Sequence, residues 1–359
     1  LTSPGNIHPE LLYIYTAIFI VVILVILLRT GILLRKRRKK YQIEQQVQSV
    51  FDEWLSHLLT EDFPHDDTFV TPPWLAPGRE NKIARQYAIN QLISTKKNLA
   101  GHAGRNIIWL YEKMGLKADS IAKFRSPLWY HKAAGIYELY MMEQRDMQAA
   151  IARHTNHHNA YVRMESQTAV LAFAGFDGLI FLDTLTRPMN DWQQLKLIDQ
   201  LTPLDPGNLE HLSIWLNAGN PDVVLFALKL AGLYQQMHVL EDVITLLKDH
   251  REKLREQAIK TLVRVGDENT PSVLIQRYAE ETPGNRNTIL KSLASMATDK
   301  ELPFLQTLLE DGDPGVQLQA ARIMMKCCHN GEALVKVSSL EPGDTYDQLY
   351  LHIKSEMAR

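Results

Sequence analysis

Eighteen consecutive residues, Leu11 to Leu28 (LLYIYTAIFIVVILVILL), carry neither charge nor proline, and RTGILLRKRRKK follows at once. As an α-helix such a run is about 27 Å long, close to the hydrocarbon thickness of a bilayer. It has no polar face to turn to water, as a surface helix of a globular domain would. A cleaved signal peptide places its positive charge before the apolar run and small residues after it. Here residues 1–28 hold no Lys or Arg, and the run closes on Leu27, Leu28 and Arg29. The expectation is a transmembrane helix over 11–34, with Gly31 to Leu34 extending the span once Arg29 reaches toward the headgroups. Tyr13 and Tyr15 fall where an interfacial aromatic belt belongs.

Charge then sets the orientation. Arg29, Arg35, Lys36, Arg37, Arg38, Lys39 and Lys40 all follow the run, so the bulk of the chain is expected in the cytoplasm and residues 1–10 on the other side. The expected location is a single-pass protein of a bacterial inner membrane. The cluster Arg35, Lys36, Arg37, Arg38, Lys39 and Lys40 also meets anionic lipid headgroups, each charge near the surface contributing on the order of 1 kcal/mol. Beyond it the balance reverses, and residues 41–359 carry a net charge of −8. That sign argues against a general binder of nucleic acid. The two cysteines, Cys327 and Cys328, are adjacent, and neighbouring Cα atoms at about 3.8 Å are too close for an ordinary disulfide. Both are expected to pack as small apolar residues in a helix, in keeping with a reducing compartment.

Residues 35–60 combine the basic segment with an amphipathic helix, in which Ile43, Val47, Val50, Phe51, Trp54, Leu55 and Leu58 recur at three- and four-residue steps. The pattern lasts about two heptads, short of a coiled coil, so its stripe is expected to rest on the start of the following domain. Residues 61–80, with Pro64, Pro72, Pro73, Pro77 and Gly78, read as a linker. Within it His65, Asp66 and Asp67 read as solvated loop residues and not as metal ligands. From residue 81 to 359 the chain reads as helices of about ten to fifteen residues, and no stretch alternates at period two as a strand would. Ala169 to Leu185 is strongly apolar but is interrupted by Asp177 and two glycines. It is expected to form two core helices meeting at a turn.

The C-terminal half repeats. Ala227-Leu228-Lys229, Ala258-Ile259-Lys260, Ile289-Leu290-Lys291 and Ala320-Ala321-Arg322 recur every 31 residues. Half a period later Val243, Leu274 and Leu305 do the same, as do Leu247, Tyr278 and Leu309. The pattern predicts two helices per repeat. Asn220-Pro221-Asp222, Thr282-Pro283-Gly284 and Asp313-Pro314-Gly315 supply the helix starts. Trp129 to Met142 reads as a further first helix, and Asn159-Ala160-Tyr161-Val162-Arg163 as another start. At the C-terminus Asp344 or Thr345 is expected to cap a closing helix with Tyr346, Leu349, Tyr350 and Ile353 on one face and polar residues outward.

With its Asn-x-x-Val-Arg start at 159–163, its Asp313-Pro314-Gly315-Val316 start and the small residue inside each first helix, the chain resembles the HEAT-repeat branch of the armadillo-like superhelical proteins over residues 126–331. The fold class is therefore expected to be all-α: one transmembrane helix, then an α-solenoid of HEAT-like helical pairs across 81–359. The resemblance implies a surface for other molecules, as scaffolds, transport factors and regulatory subunits of that family provide, and leaves the partner open.

No phosphate-binding glycine loop, nucleophile elbow, zinc-protease motif or paired-carboxylate arrangement stands out, so no catalytic residue, cofactor or metal is assigned and the chain is not expected to be an enzyme. His154 and His158 have a metal-compatible helical spacing, but they fall where a repeat turn is required and read as turn and cap residues. Trp54, Trp74, Trp109, Trp129, Tyr130 and Trp192 read as core anchors. Lys229, Lys260, Lys291 and Arg322 share one position of the repeat and form the candidate partner-binding row. The function expected is a membrane-anchored cytoplasmic scaffold or adaptor that binds a protein partner, as an accessory subunit of a membrane complex. The alternative is an enzyme or nucleic-acid-modifying protein on a HEAT scaffold, which the charge of −8 disfavours.

Overall fold

A computed structural model describes residues 9–60, 69–78, 81–99, 101–207, 209–337 and 345–357. The metal alternative at His65, Asp66 and Asp67, half of the linker (61–68 and 79–80) and the Asp344 cap lie outside them. Among the described residues every regular element is a helix. Within the stretch 81–359 that the sequence reads as one repeat domain, the chain divides into two compact units, Leu1–Arg145 and Asp146–Arg359.

The first unit holds α1 (Pro9–Thr60), α2 (Lys82–Asn98), α3 (His102–Lys113), α4 (Leu116–Phe124) and α5 (Trp129–Met141). The apolar run, the basic cluster and the amphipathic stripe are thus one uninterrupted helix of 52 residues. Tyr13–Arg35 is long and apolar enough to cross a membrane, and none of it is buried in the protein. Further along, Phe51 and Leu55 are buried among Leu75, Ile89, Leu92, Leu110 and Tyr111, with Val47, Trp54 and Leu58 packed at the edge. Val50, expected on that stripe, is exposed. Trp54, Trp74 and Trp109 join Phe51 and Phe69 in a chain of edge-on and tilted ring contacts with centroids 5.3–6.3 Å apart. Buried Arg85 ties the unit together: it donates to Asp119 Oδ2 at 2.6 and 2.8 Å and to the carbonyls of Leu75, Met114 and Gly115. Helices α4 and α5 approach so closely that a Cβ at Gly135 would lie 2.4 Å from the Phe124 nitrogen.

The second unit holds α6 (Gln148–Ala152), α7 (Ala160–Ala174), α8 (Asp191–Leu201), α9 (Leu212–Leu216), α10 (Pro221–Leu233), α11 (Leu240–Leu246), α12 (Glu252–Val265), α13 (Thr270–Tyr278), α14 (Pro283–Leu293), α15 (Leu302–Leu309), α16 (Pro314–Cys327), α17 (Gly331–Val337) and α18 (Thr345–Met357). First helices begin at Trp129, Ala160, Asp191, Pro221, Glu252, Pro283, Pro314 and Thr345, at steps of 31 residues except the step from Asp191 to Pro221, which is one residue short. That deletion hides the upstream register from a search at fixed period. The repeat positions do what their chemistry requires. Ala227, Ala258, Ile289 and Ala320 are fully buried between neighbouring helices, as are Val243, Leu274 and Leu305. Truncating one such buried Leu, for example Leu274, to Ala is expected to cost roughly 2–5 kcal/mol.

The turns are closed by two devices. Asn159, Asn190, Asn220, Thr282 and Asp313 each accept from a backbone N–H in the first turn of the following helix. The fourth residue of the helix then reaches back to a carbonyl of the turn that feeds it: Arg163 to His157, Gln194 to Met189, Arg255 to Asp249, Arg286 to Ala279, Gln317 to Asp311; Arg163 donates also to Pro188, in the turn before α8. In the first unit Lys132 does the same to Phe124. The turn at His154 to Asn159 is of this kind, with His157 Nδ1 accepting from the Asn159 N–H.

Two expectations need adjustment. Ala169 to Leu185 does form two helical segments that both reach the core, as expected, but the second is not an α-helix. Helix α7 ends at Gly175, whose φ of 60° breaks it, and residues Gly175–Thr184 continue as a 3-10 helix. Trp129, Tyr130 and Trp192 are not core anchors, since all three are exposed. Near the chain's end Tyr350 and Ile353 are buried as expected. Cys327 and Cys328 pack with their thiols toward the carbonyls of Ala294 and Thr298, and burial pushes both thiols up, away from thiolate chemistry.

Arg255 is nearly buried and pairs with Glu281, whose side chain is fully buried, at 2.8 Å. Burial alone would push the Glu281 carboxyl up, but hydrogen bonds from Arg255 and Asn285 outweigh it and hold it below the usual range. Arg255→Ala should therefore lower unfolding stability by about 3 kcal/mol, as when one partner of a buried pair is removed, while Lys260→Ala, on an exposed pair, should stay within about 0.5 kcal/mol. Thermal unfolding followed by circular dichroism distinguishes them.

Acid sensitivity is predicted in the turn before α12. Hydrogen bonds from the Arg251 side chain hold the Asp249 carboxyl down at about 2. A depressed carboxyl contributes its full stabilisation above its ordinary value near 4 and loses it as the pH falls through about 2. Wild type should exceed Asp249→Asn by about 1–2 kcal/mol at pH 7, and urea unfolding at pH 3 should show the gap narrowing.

Candidate functional site

From α10 onward the second helices are regular: α11, α13, α15 and α17 each alternate with a first helix. Ahead of them the pattern is irregular. The second element after α7 is the 3-10 helix Gly175–Thr184, and the one after α8 is the five-residue α9. Both bury apolar residues in the core but are wound or cut short differently from the second helices that follow, and two hollows lie there. One, of about 510 Å³, is lined by Phe176, Asp177, Ile180, Leu209, Glu210 and His211. The other, of about 610 Å³, is lined by Leu182, Asp183, Thr186, Ile214, Asn217 and Ala218. Both are lined by Trp215 as well.

Trp215 is a fixed wall, 3% exposed. Its Nε1 donates to Asp183 Oδ1 at 2.6 Å, and His211 Nδ1 lies 3.4 Å from the other carboxylate oxygen with its ring tilted over the indole. Phe176 packs edge-on against Tyr234. By contrast Ile180 is 59% and Ile214 58% exposed. Asp177 and Glu210 are exposed too, and among the described residues neither Lys nor Arg lines either hollow. The result is a preformed relief of apolar knobs and carboxylates around a buried indole.

The candidate row lies elsewhere in the same unit. Lys229, Lys260, Lys291 and Arg322 are the ninth residues of α10, α12, α14 and α16. Lys229 donates to Gln194 Oε1 at 2.8 Å and lies 3.3 Å from Asp191; Lys260 pairs with Glu256 at 2.6 Å, and Arg322 with Glu356 at 2.7 Å. Lys291 is exposed and has no acidic partner among the described residues. Arg35, Arg37 and Arg38 are exposed along α1, in the same helix as Lys36, Lys39 and Lys40. Among the described residues no group of His, Cys, Asp and Glu is arranged to hold a metal ion.

Sequence reasoning passed over Trp215, Asp183, Ile180 and Ile214. A signal was present. Between Pro206-Gly207 and Asn220-Pro221 Leu212 and Leu216 keep the 31-residue step to Val243 and Leu247, but the helical stretch that carries them is only five residues long.

Residues 209–294 match the family of HEAT repeats, and paired helices continue on both sides of that stretch. HEAT repeats are scaffolds for protein–protein interaction. No curated protein matches the chain. Among solved structures, an engineered protein is 14% identical, with 77% of this chain and 85% of that one covered and a TM-score of 0.39. The complex of CpcE and CpcF of phycocyanin lyase from Nostoc sp. PCC7120 is 12% identical, covering 81% of this chain and 99% of that one with a TM-score of 0.25. Likenesses that loose carry no argument about what this chain does.

Asp183→Ala leaves the buried indole N–H without an acceptor and should cost about 1–3 kcal/mol. Asp183→Asn keeps an acceptor and should recover most of it; unfolding midpoints of the two variants, measured side by side, provide the check.

Proposed function

We propose that the chain is a membrane-anchored scaffold, its HEAT repeats on the cytoplasmic side, holding a protein partner beside the bilayer as an accessory subunit of a membrane complex. The observation that carries this reading is the continuity of α1. One helix contains the apolar window Tyr13–Arg35, the basic cluster after it, and Phe51 and Leu55 embedded in the first unit's core. From Arg35 to Phe51 the rise is about 24 Å, so the domain is joined to the span by a rigid rod and not by a slack tether. The basic residues beyond the window favour the cytoplasmic orientation and contact with anionic headgroups. In this reading Lys229, Lys260, Lys291 and Arg322 form one partner-facing row, with Lys291 contributing the charge least neutralised by its neighbours.

The test combines topology with capture. A reporter fused after residue 359 should be active only in its cytoplasmic form, and neutralising Arg35 to Lys40 should mix the orientations. Partners crosslinked to the full chain in membranes should be lost when the four-residue row is reversed to Glu, with Lys291→Glu alone giving the largest single loss. Activity only from an exported reporter refutes the orientation; unchanged partners and salt dependence in the quadruple variant refute the row.

A further inference from the structure

We propose that the paired hollows flanking Trp215 bind a short peptide segment of a partner protein that is both basic and apolar. The inference rests on the scaffold reading of the HEAT repeats and not on where the membrane lies. Three observations converge on this occupant. Ile180 and Ile214, one in each hollow, are more than half exposed, and covering them removes apolar surface from water at about 25 cal/mol per Å². Asp177, Glu210 and Asp183 line the same hollows and, among the described residues, no Lys or Arg does, so a cationic side chain is attracted and an anionic one repelled. The wall between the hollows is rigid, because Trp215 is buried and pinned to Asp183 at 2.6 Å, so little ordering is needed on binding. Each hollow falls within the size range of side-chain and small-ligand sites. A segment that places apolar residues against Ile180 and Ile214 and a Lys or Arg beside Asp177 or Glu210 satisfies both. Nucleic acid and anionic lipid carry the wrong sign for this surface.

The test uses the full chain in phosphatidylcholine nanodiscs and, as probe, phage-displayed random peptides of about twelve residues. Two surface variants serve as controls, Asp177→Lys with Glu210→Lys, and Ile180→Ser with Ile214→Ser, each first shown by circular dichroism to keep wild-type helicity. The expected result is enrichment of peptides with net positive charge and at least one large apolar residue. A synthetic copy of an enriched peptide should bind each variant at least about tenfold more weakly by fluorescence anisotropy, and its acidic counterpart should gain affinity for the lysine variant. The proposal is overturned by enrichment of uncharged or acidic peptides, by equal affinity for wild type and both variants, by no enrichment over empty nanodiscs, or by sedimentation showing that a second copy of the chain fills the surface. If it fails while partner capture from membranes survives in both variants, the groove is wrong and the scaffold reading stands.

Discussion

Each first helix of the second unit has to hide the carbonyl groups of the turn that leads into it, and the rest of that unit depends on how this is done. The turn is short and sits against packed helices, so its backbone acceptors have limited access to water, and an unpaired buried carbonyl carries a desolvation cost. The fourth residue of the helix supplies the donor. It is Arg163, Gln194, Arg255, Arg286 or Gln317 in turn. With the turn locked, the small residues at the following positions can sit between neighbouring helices, and the stacking that buries Ala227, Ala258, Ile289 and Ala320 becomes possible. Where the fourth residue is Val224, which has no donor, the Asn220 side chain instead ties its turn to the one before α8, donating to the carbonyls of Leu185 and Arg187.

This explains why the C-terminal repeats were readable and the earlier ones less so. Apolar burial leaves a period that any reader can count, and residues 227, 258, 289 and 320 declare it. The donor at the fourth position leaves a weaker trace, because Arg, Gln and Lys all serve, and a search for a Val-Arg pair at a repeat start sees only Val162-Arg163. One residue missing between the starts at Asp191 and Pro221 then breaks the count. The exposed Trp192 illustrates a different limit. Composition gives an aromatic residue a large tendency toward burial, but Trp192 is the second residue of α8, on the outward face of the first turn. The same holds for Tyr130 and Tyr161, second residues of α5 and α7. Of the site, the cationic row was legible as a repeat of residue types, whereas the hollows arise from a departure from the repeat, which a periodic reading discards.

Continuity of α1 gives the molecule a mechanical property that its sequence segments taken singly do not have. A helix of this length is stabilised in water only where a face is covered, and residues between Arg35 and Val47 are largely exposed. On the proposed membrane reading its order there is imposed from both ends, by the apolar window seated in the bilayer and by Phe51 and Leu55 in the first unit's core. Helix formation is cooperative, so two anchored ends carry the solvated middle. A hinge introduced there, such as a pair of glycines, would leave both ends intact while removing the rod between them.

Charge is distributed in the second unit so that its two faces of interest differ in kind. On the first-helix side Lys229, Lys260 and Arg322 stand beside Asp191, Glu256 and Glu356, so much of that field is cancelled within a few ångströms and a distant partner senses little of it. Among the described residues no Lys or Arg lines the hollows beside Trp215: Asp183 is engaged by an indole N–H and by His211, and Asp177 and Glu210 face water. An approaching protein therefore meets a net negative field at the hollows and a nearly balanced one along the row. Since the field that survives at a Debye length governs encounter, a partner of the kind proposed would be steered mainly by the hollows, and the proposed row would act only after contact, chiefly through Lys291.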